Sequence, residues 1–165
     1  MLQIVACILV VSASVNGRAP FRPPAVPLIT FAPMHQKFLF HEDATTVNTT
    51  YWDKSAMPIF VMMRFSGNDH AVTLVGQLDS VAPALQDALP VVTATSTTFR
   101  YYFRGMPGAS ATLTFTSPML PDDFDVLARP ATYIHASLTG AEEYGRVSLF
   151  VGASALSNLP ASAMK

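Results

Sequence analysis

Three carboxylates fall within four positions in the segment Pro121-Asp122-Asp123-Phe124-Asp125. Asp122, Asp123 and Asp125 offer what oxygen-rich sites need. Hard cations such as calcium take carboxylate ligands, and paired carboxylates in unequal surroundings divide into an acid and a base. Aspartates just after a proline also cap turns by accepting backbone N–H bonds. The glycine-bearing spacing of a calcium loop is missing, so turn capping is the expected use and a cation site the secondary one. Four histidines, His35, His41, His70 and His135, are scattered without the His-x-His or His-Glu-x-x-His spacing that assembles zinc. Gly108-Ala109-Ser110-Ala111 lacks the final glycine of a nucleophile elbow and precedes a strand pattern rather than a helix. Spacing therefore identifies no catalytic set, and no cofactor is expected.

A second group has the chemistry of binding. Arg100, Tyr102 and Arg104 alternate with Phe99, Tyr101 and Phe103, and Tyr133 and His135 alternate with Thr132, Ile134 and Ala136. Aromatic and Arg side chains on the wet face of a strand are the stock of interface hot spots. Arg100, Tyr102, Arg104 and Tyr133 are a candidate interface for a protein domain or a sugar, with an ordinary solvent-facing sheet as the other reading.

The elements that position these residues are strands. Ala111, Leu113 and Phe115 alternate with Thr112, Thr114 and Thr116, a period of two with one dry and one wet face. Pro118 and Pro121 then remove backbone donors, so neither helix nor ladder is expected through Ser117–Asp125. A second strand, Ala131 to Leu138, follows, and the long connection reads as a crossing between two layers. Ile59, Val61, Met63 and Phe65 alternate with Phe60, Met62 and Arg64, a strand expected to be covered on both faces. His70 to Val75 returns as a hairpin after turn residues 66–69, and Val147, Leu149 and Val151 are expected to face inward in the last strand. Val81 to Leu89 is expected to hold a helical turn starting near Pro83. About seven strands in this spacing predict an all-β, antiparallel β-sandwich.

Composition bounds the rest. Of 165 residues only 13% are charged and 50% are hydrophobic, and the net charge is -1. Neither nucleic acid nor an anionic membrane surface has an electrostatic footing here. Ile4 to Val11 is an apolar run too short to span a bilayer and followed by small residues, the anatomy of a secretory leader over 1–17. No Lys or Arg precedes that run, so positive charge comes from the amino terminus alone. Cys7 lies within the leader, which leaves the exported chain without thiol chemistry. Asn48-Thr49-Thr50 is an N-glycosylation sequon. Residues 18–56 form a Pro-rich arm and loop, and the prolines between Arg18 and Pro33 favour extended backbone packed along the sandwich of 57–165.

Two stretches carry a resemblance. RPPAVPLITFAP, Arg22 to Pro33, resembles the opening signature of the secreted glutaminase A family, and TLTFTSPMLPDDFDVLARPATYI, Thr112 to Ile134, resembles the longest signature of that family's next segment. Tyr51-Trp52 and the turn Val81 to Gln86 sit where such proteins carry similar features. The resemblance implies an amino-terminal, non-catalytic β-sandwich followed by a larger helical toroid, and the family reaction it implies is hydrolysis of L-glutamine to glutamate and ammonia. Two departures stand out. Met34 to Phe40 replaces an aromatic-rich run, and the chain reaches Lys165 before the family's sandwich is complete. The expectation is an incomplete sandwich, inactive alone, whose partner is the missing helical toroid; a secreted carbohydrate- or protein-binding module is the alternative. Such a sandwich leaves apolar surface and a strand edge open to association.

Overall fold

The computed structural model describes residues 23–30, 36–53, 55–67, 70–78, 80–87 and 89–153. The expected leader, with Cys7, and also His35 lie outside the described residues. In chain order the elements are β1 (Val26–Ile29), β2 (Lys37–Leu39), β3 (Ile59–Phe65), β4 (His70–Val75), β5 (Ala82–Pro83), β6 (Leu85–Gln86), β7 (Val91–Val92), β8 (Ser96–Tyr102) and β9 (Ser110–Thr116). They continue with the helical turn α1 (Phe124–Leu127), β10 (Tyr133–Thr139), a 3-10 turn (Glu142–Tyr144) and β11 (Val147–Ala153). The fold is an all-β sandwich, antiparallel except where β5 runs parallel to β4.

One sheet has the order β11-β3-β4-β5 and the other β10-β9-β8-β6, with β7 also pairing β8. Period-two alternation builds both inner faces. Val61, Met63 and Phe65 from β3 share one buried core with Phe99 and Tyr101 from β8 and Ala111, Leu113 and Phe115 from β9. Phe99 meets Phe115 edge-on at 6.3 Å between ring centroids, and Phe65 meets Phe103 at 5.0 Å. Such pairs add roughly 0.5–1.5 kcal/mol each beyond area burial. The described part of the arm is a β1–β2 ribbon that puts Val26, Leu28 and Leu39 into the same core. Thr97 Oγ1 fixes the ribbon by donating to the Pro27 carbonyl at 2.6 Å.

Several expectations are corrected. The connection after β9 does not pass between layers: β10 lies beside β9 in one sheet, with Tyr133 opposite Thr116 and Thr139 opposite Ser110. The prolines forbid a ladder within the loop but do not fix its direction. The loop also contains α1, begun where Asp123 caps it, so helix does form after Pro121. Layers change instead at Ala82–Gln86, where β5 belongs to one sheet and β6 to the other with buried Ala84 between them. That stretch is two short strands rather than a helical turn, because its amides find partners in neighbouring strands: Ala84 N–H donates to the Thr73 carbonyl, and Asp87 N–H to that of Arg100.

Burial on two strands is less complete than alternation alone suggests. The second face of β3 is covered only in part, since Phe60 and Met62 are partly buried and Arg64 is exposed. In β11, Val147, Leu149 and Val151 face inward as expected, opposite Phe65, Met63 and Val61; Val147 packs against the core, while Leu149 and Val151 remain 44% and 48% exposed. Alternation assigns a face, whereas burial needs a neighbour on each side, and β11 is the edge of its sheet.

Candidate interaction surface

The outer face of the β10-β9-β8 sheet is ordered by its register. Its rows run Tyr133–Thr116–Ser96, His135–Thr114–Thr98, Ser137–Thr112–Arg100 and Thr139–Ser110–Tyr102. A hydroxyl pair, Thr98 Oγ1 and Thr114 Oγ1 at 3.0 Å, ties two strands across this face. Arg100, Tyr102 and Tyr133 therefore share one face, as alternation predicts, and Arg104 is exposed just past β8. They do not share one pocket. Tyr133 and Tyr102 stand at opposite corners, six residues along and two strands across, which is about 20 Å at ordinary strand spacings.

The Tyr133 corner adjoins the loop 117–132. Here the chain departs from the rule that apolar side chains go inside: Met119, Leu120 and Leu127 are exposed, and Phe124 is 77% exposed. Local bonds shape the tip. Asp123 sits at the N-cap in extended geometry, its Oδ1 accepting from the Val126 N–H at 3.0 Å and its carbonyl accepting from the Leu127 N–H at 3.0 Å. The cap holds the turn that carries Phe124 outward. Asp122 and Asp125 flank it, both exposed. Of the three carboxylates, one is a turn cap as expected, and among the described residues no three metal-ligating side chains gather at one point. His41 Nδ1 accepts from the Asp43 N–H at 3.1 Å, while His135 lies exposed on β10, remote from the loop 41–50 in sequence.

Sequence patterns miss two concavities, because their walls come from separate segments. A cavity of about 350 Å³ beside Arg100 is lined by Asp87, Leu89, Val91 and Thr98. Another, of about 420 Å³, lies between Thr45, Thr46, Gln77, Leu78 and Val81. The sequon borders the second. Asn48 is exposed and its Oδ1 accepts from the Gln77 N–H at 3.0 Å, while buried Thr49 donates to the Met57 carbonyl and accepts from the Ile59 N–H at 2.9 Å.

Two titratable groups are held inside the body and away from these surfaces. Burial pushes the Lys37 ammonium below the ordinary lysine value, and its Nζ donates to the Met57 carbonyl at 3.3 Å. Burial, joined by the Asp43 charge, drives the Tyr101 hydroxyl well above the ordinary tyrosine value. That hydroxyl has no hydrogen-bond partner among the described residues.

No family model, curated protein or solved structure matches the chain.

Proposed function

We propose that this chain is the amino-terminal, non-catalytic β-sandwich module of a secreted, glutaminase-A-like glycoprotein, and that it docks a larger helical domain through the loop 117–132. One observation carries the reading: the segment that resembles the family most, Thr112 to Ile134, also presents four exposed apolar side chains. Phe124, Met119, Leu120 and Leu127 stand in water at a position where a capped turn holds them. Burying a side chain such as Phe124 against a partner contributes roughly 1.5–3 kcal/mol. Glutamine hydrolysis belongs in this reading to the helical domain, with the sandwich as its support. The test uses the full chain with a separately produced helical domain of a secreted glutaminase A. The two are expected to co-purify, with glutamine turnover only where the helical domain is present. Turnover by the full chain alone, lost in a double Asp122→Asn, Asp123→Asn variant, would replace this reading with a small carboxylate enzyme.

A second reading, a carbohydrate-binding module, is favoured by the other end of the sheet. There Tyr102 and Arg100 lie beside a hydroxyl-rich row and the cavity at Asp87. Dose-dependent retention on a glycan array that disappears with Tyr102→Ala would establish it; absence of retention would remove it.

Export carries its own check. Asn48 has the exposure a glycan needs, and the Gln77 N–H occupies only its carboxamide oxygen. In a eukaryotic secretory host the chain should reach the medium, and peptide N-glycosidase should increase its mobility in wild type but not in Asn48→Gln. Identical mobility of treated and untreated wild type would refute glycosylation.

A further inference from the structure

Edges of sheets in soluble proteins are guarded by charges, prolines, bulges or covering segments, because an unpaired strand is a template for another. β11 has none of the first three. Its seven residues, Val147-Ser148-Leu149-Phe150-Val151-Gly152-Ala153, include no charge and no proline, and its register with β3 runs unbroken from Val147 opposite Phe65 to Ala153 opposite Ile59. Among the described residues it pairs with β3 alone. Both faces carry exposed apolar side chains. Leu149 and Val151 lie half-exposed on the inner side, and on the outer side Phe150 is 54% exposed, its ring lying back over Gly152. The ring fits there because Gly152 has no side chain; a Cβ at that position would meet it at 2.9 Å. The outer surface of the strand is thereby flattened.

The opposite sheet makes a useful contrast. Its own edge, β10, keeps Ile134, Ala136 and Leu138 partly buried and turns Tyr133, His135, Ser137 and Thr139 outward. Neither long edge strand carries a charged residue, a proline or a bulge, but among the described residues only β11 exposes large apolar side chains on both of its faces.

We propose that β11 pairs antiparallel with β11 of a second copy, joining two four-stranded sheets across a two-fold axis at Leu149. The sequence of the strand fits itself. In that register Leu149 faces Leu149, and Val147 faces Val151 on both sides of the axis, so the inner layer continues as an unbroken apolar row. Ser148 faces Phe150 on the outer side. The charge pattern fits as well: the nearest charge in sequence is Arg146, three residues before the axis. The two copies of Arg146 would therefore stand about 20 Å apart, beyond the roughly 8–10 Å over which salt screens exposed charges. A self-pairing strand brings any charge near its centre against its own copy, and this one carries none. The inference uses a different surface from the loop 117–132 of the docking reading, so the two tests fail separately.

Sedimentation of the full chain over a dilution series tests it. A dimer that dissociates on dilution is expected, with the molar mass halved by Leu149→Lys, which sets two ammonium groups face to face. Thr98→Lys, on the outer face of the other sheet, should leave the dimer intact. Circular dichroism shows whether Leu149→Lys still folds. A Leu149→Cys variant in a Cys7→Ser background avoids an added charge and should form an intermolecular disulfide under mild oxidation. A chain that stays monomeric at every concentration would overturn the proposal. So would a dimer unmoved by folded Leu149→Lys together with no disulfide in the Leu149→Cys variant.

Discussion

Two buried polar side chains test how this core handles charge. The Tyr101 ring lies within the aromatic cluster, stacked 6.2 Å from Phe99, while its hydroxyl is buried without a partner among the described residues. A buried hydroxyl without a partner costs about 1–3 kcal/mol, so Tyr101→Phe should raise the melting temperature. Lys37 presents the converse problem, a cation drawn partly out of water. Its partner, the Met57 carbonyl, also accepts from Thr49 Oγ1, so Lys37→Met leaves that carbonyl satisfied. The two residues give opposite pH signatures. The lysine's folded value lies below 10.5, so the folded state binds fewer protons than the unfolded one in that window, and stability rises as pH approaches 10.5. The tyrosine's folded value lies above 10.0, so the unfolded chain ionises first and stability falls as pH climbs past 10.0. Denaturant unfolding between neutral and alkaline pH should show the rise vanish in Lys37→Met and the tyrosine's part of the fall vanish in Tyr101→Phe. Unchanged alkaline profiles in both variants would refute the burial of these groups. Neither property is legible in sequence, because residue type does not disclose which neighbours arrive from distant strands. Asp123 was more legible: an aspartate three residues before a backbone N–H is a cap signal, and the structure uses it as one.

At the scale of elements, alternation carried most of the information. The inner faces of β3, β8 and β9 follow directly from every second residue. Tertiary pairing decided what alternation left open. Ala82–Pro83 and Leu85–Gln86 are strands because Thr73 and Arg100 offer carbonyls there, and a local reading of Pro83 as the start of a helical turn misses those partners. Turn geometry was also decided at a distance. Gly140, at φ +67°, ends β10 with its backbone pressed against the Gly108 carbonyl, so the turn after β10 and the turn before β9 lock together. Any side chain at Gly140 would meet both the left-handed conformation and that carbonyl. The apolar residues of β11 and of the loop 117–132 were visible in the sequence, but their exposure was not. That depends on sheet order, which a single chain does not spell out.

For the whole molecule, the two exposed apolar surfaces lie on different layers. The loop beside Tyr133 extends the β10-β9-β8 sheet, and β11 borders the other. One surface is held by a capped turn, and the other is an edge strand paired, among the described residues, with β3 alone. The binding residues expected from sequence share a face, but the register separates them into an Arg100–Tyr102 end and a Tyr133 end. The docking account and the carbohydrate account therefore make opposed demands on different residues. The decisive measurement is the affinity of a secreted glutaminase A helical domain for the full chain and for two variants, Phe124→Asp and Tyr102→Ala. Docking through the loop predicts that Phe124→Asp weakens binding about thirtyfold, the loss expected of a roughly 2 kcal/mol hot spot, while Tyr102→Ala leaves it unchanged. Binding that is absent in the wild-type chain, or indifferent to Phe124→Asp, would contradict it.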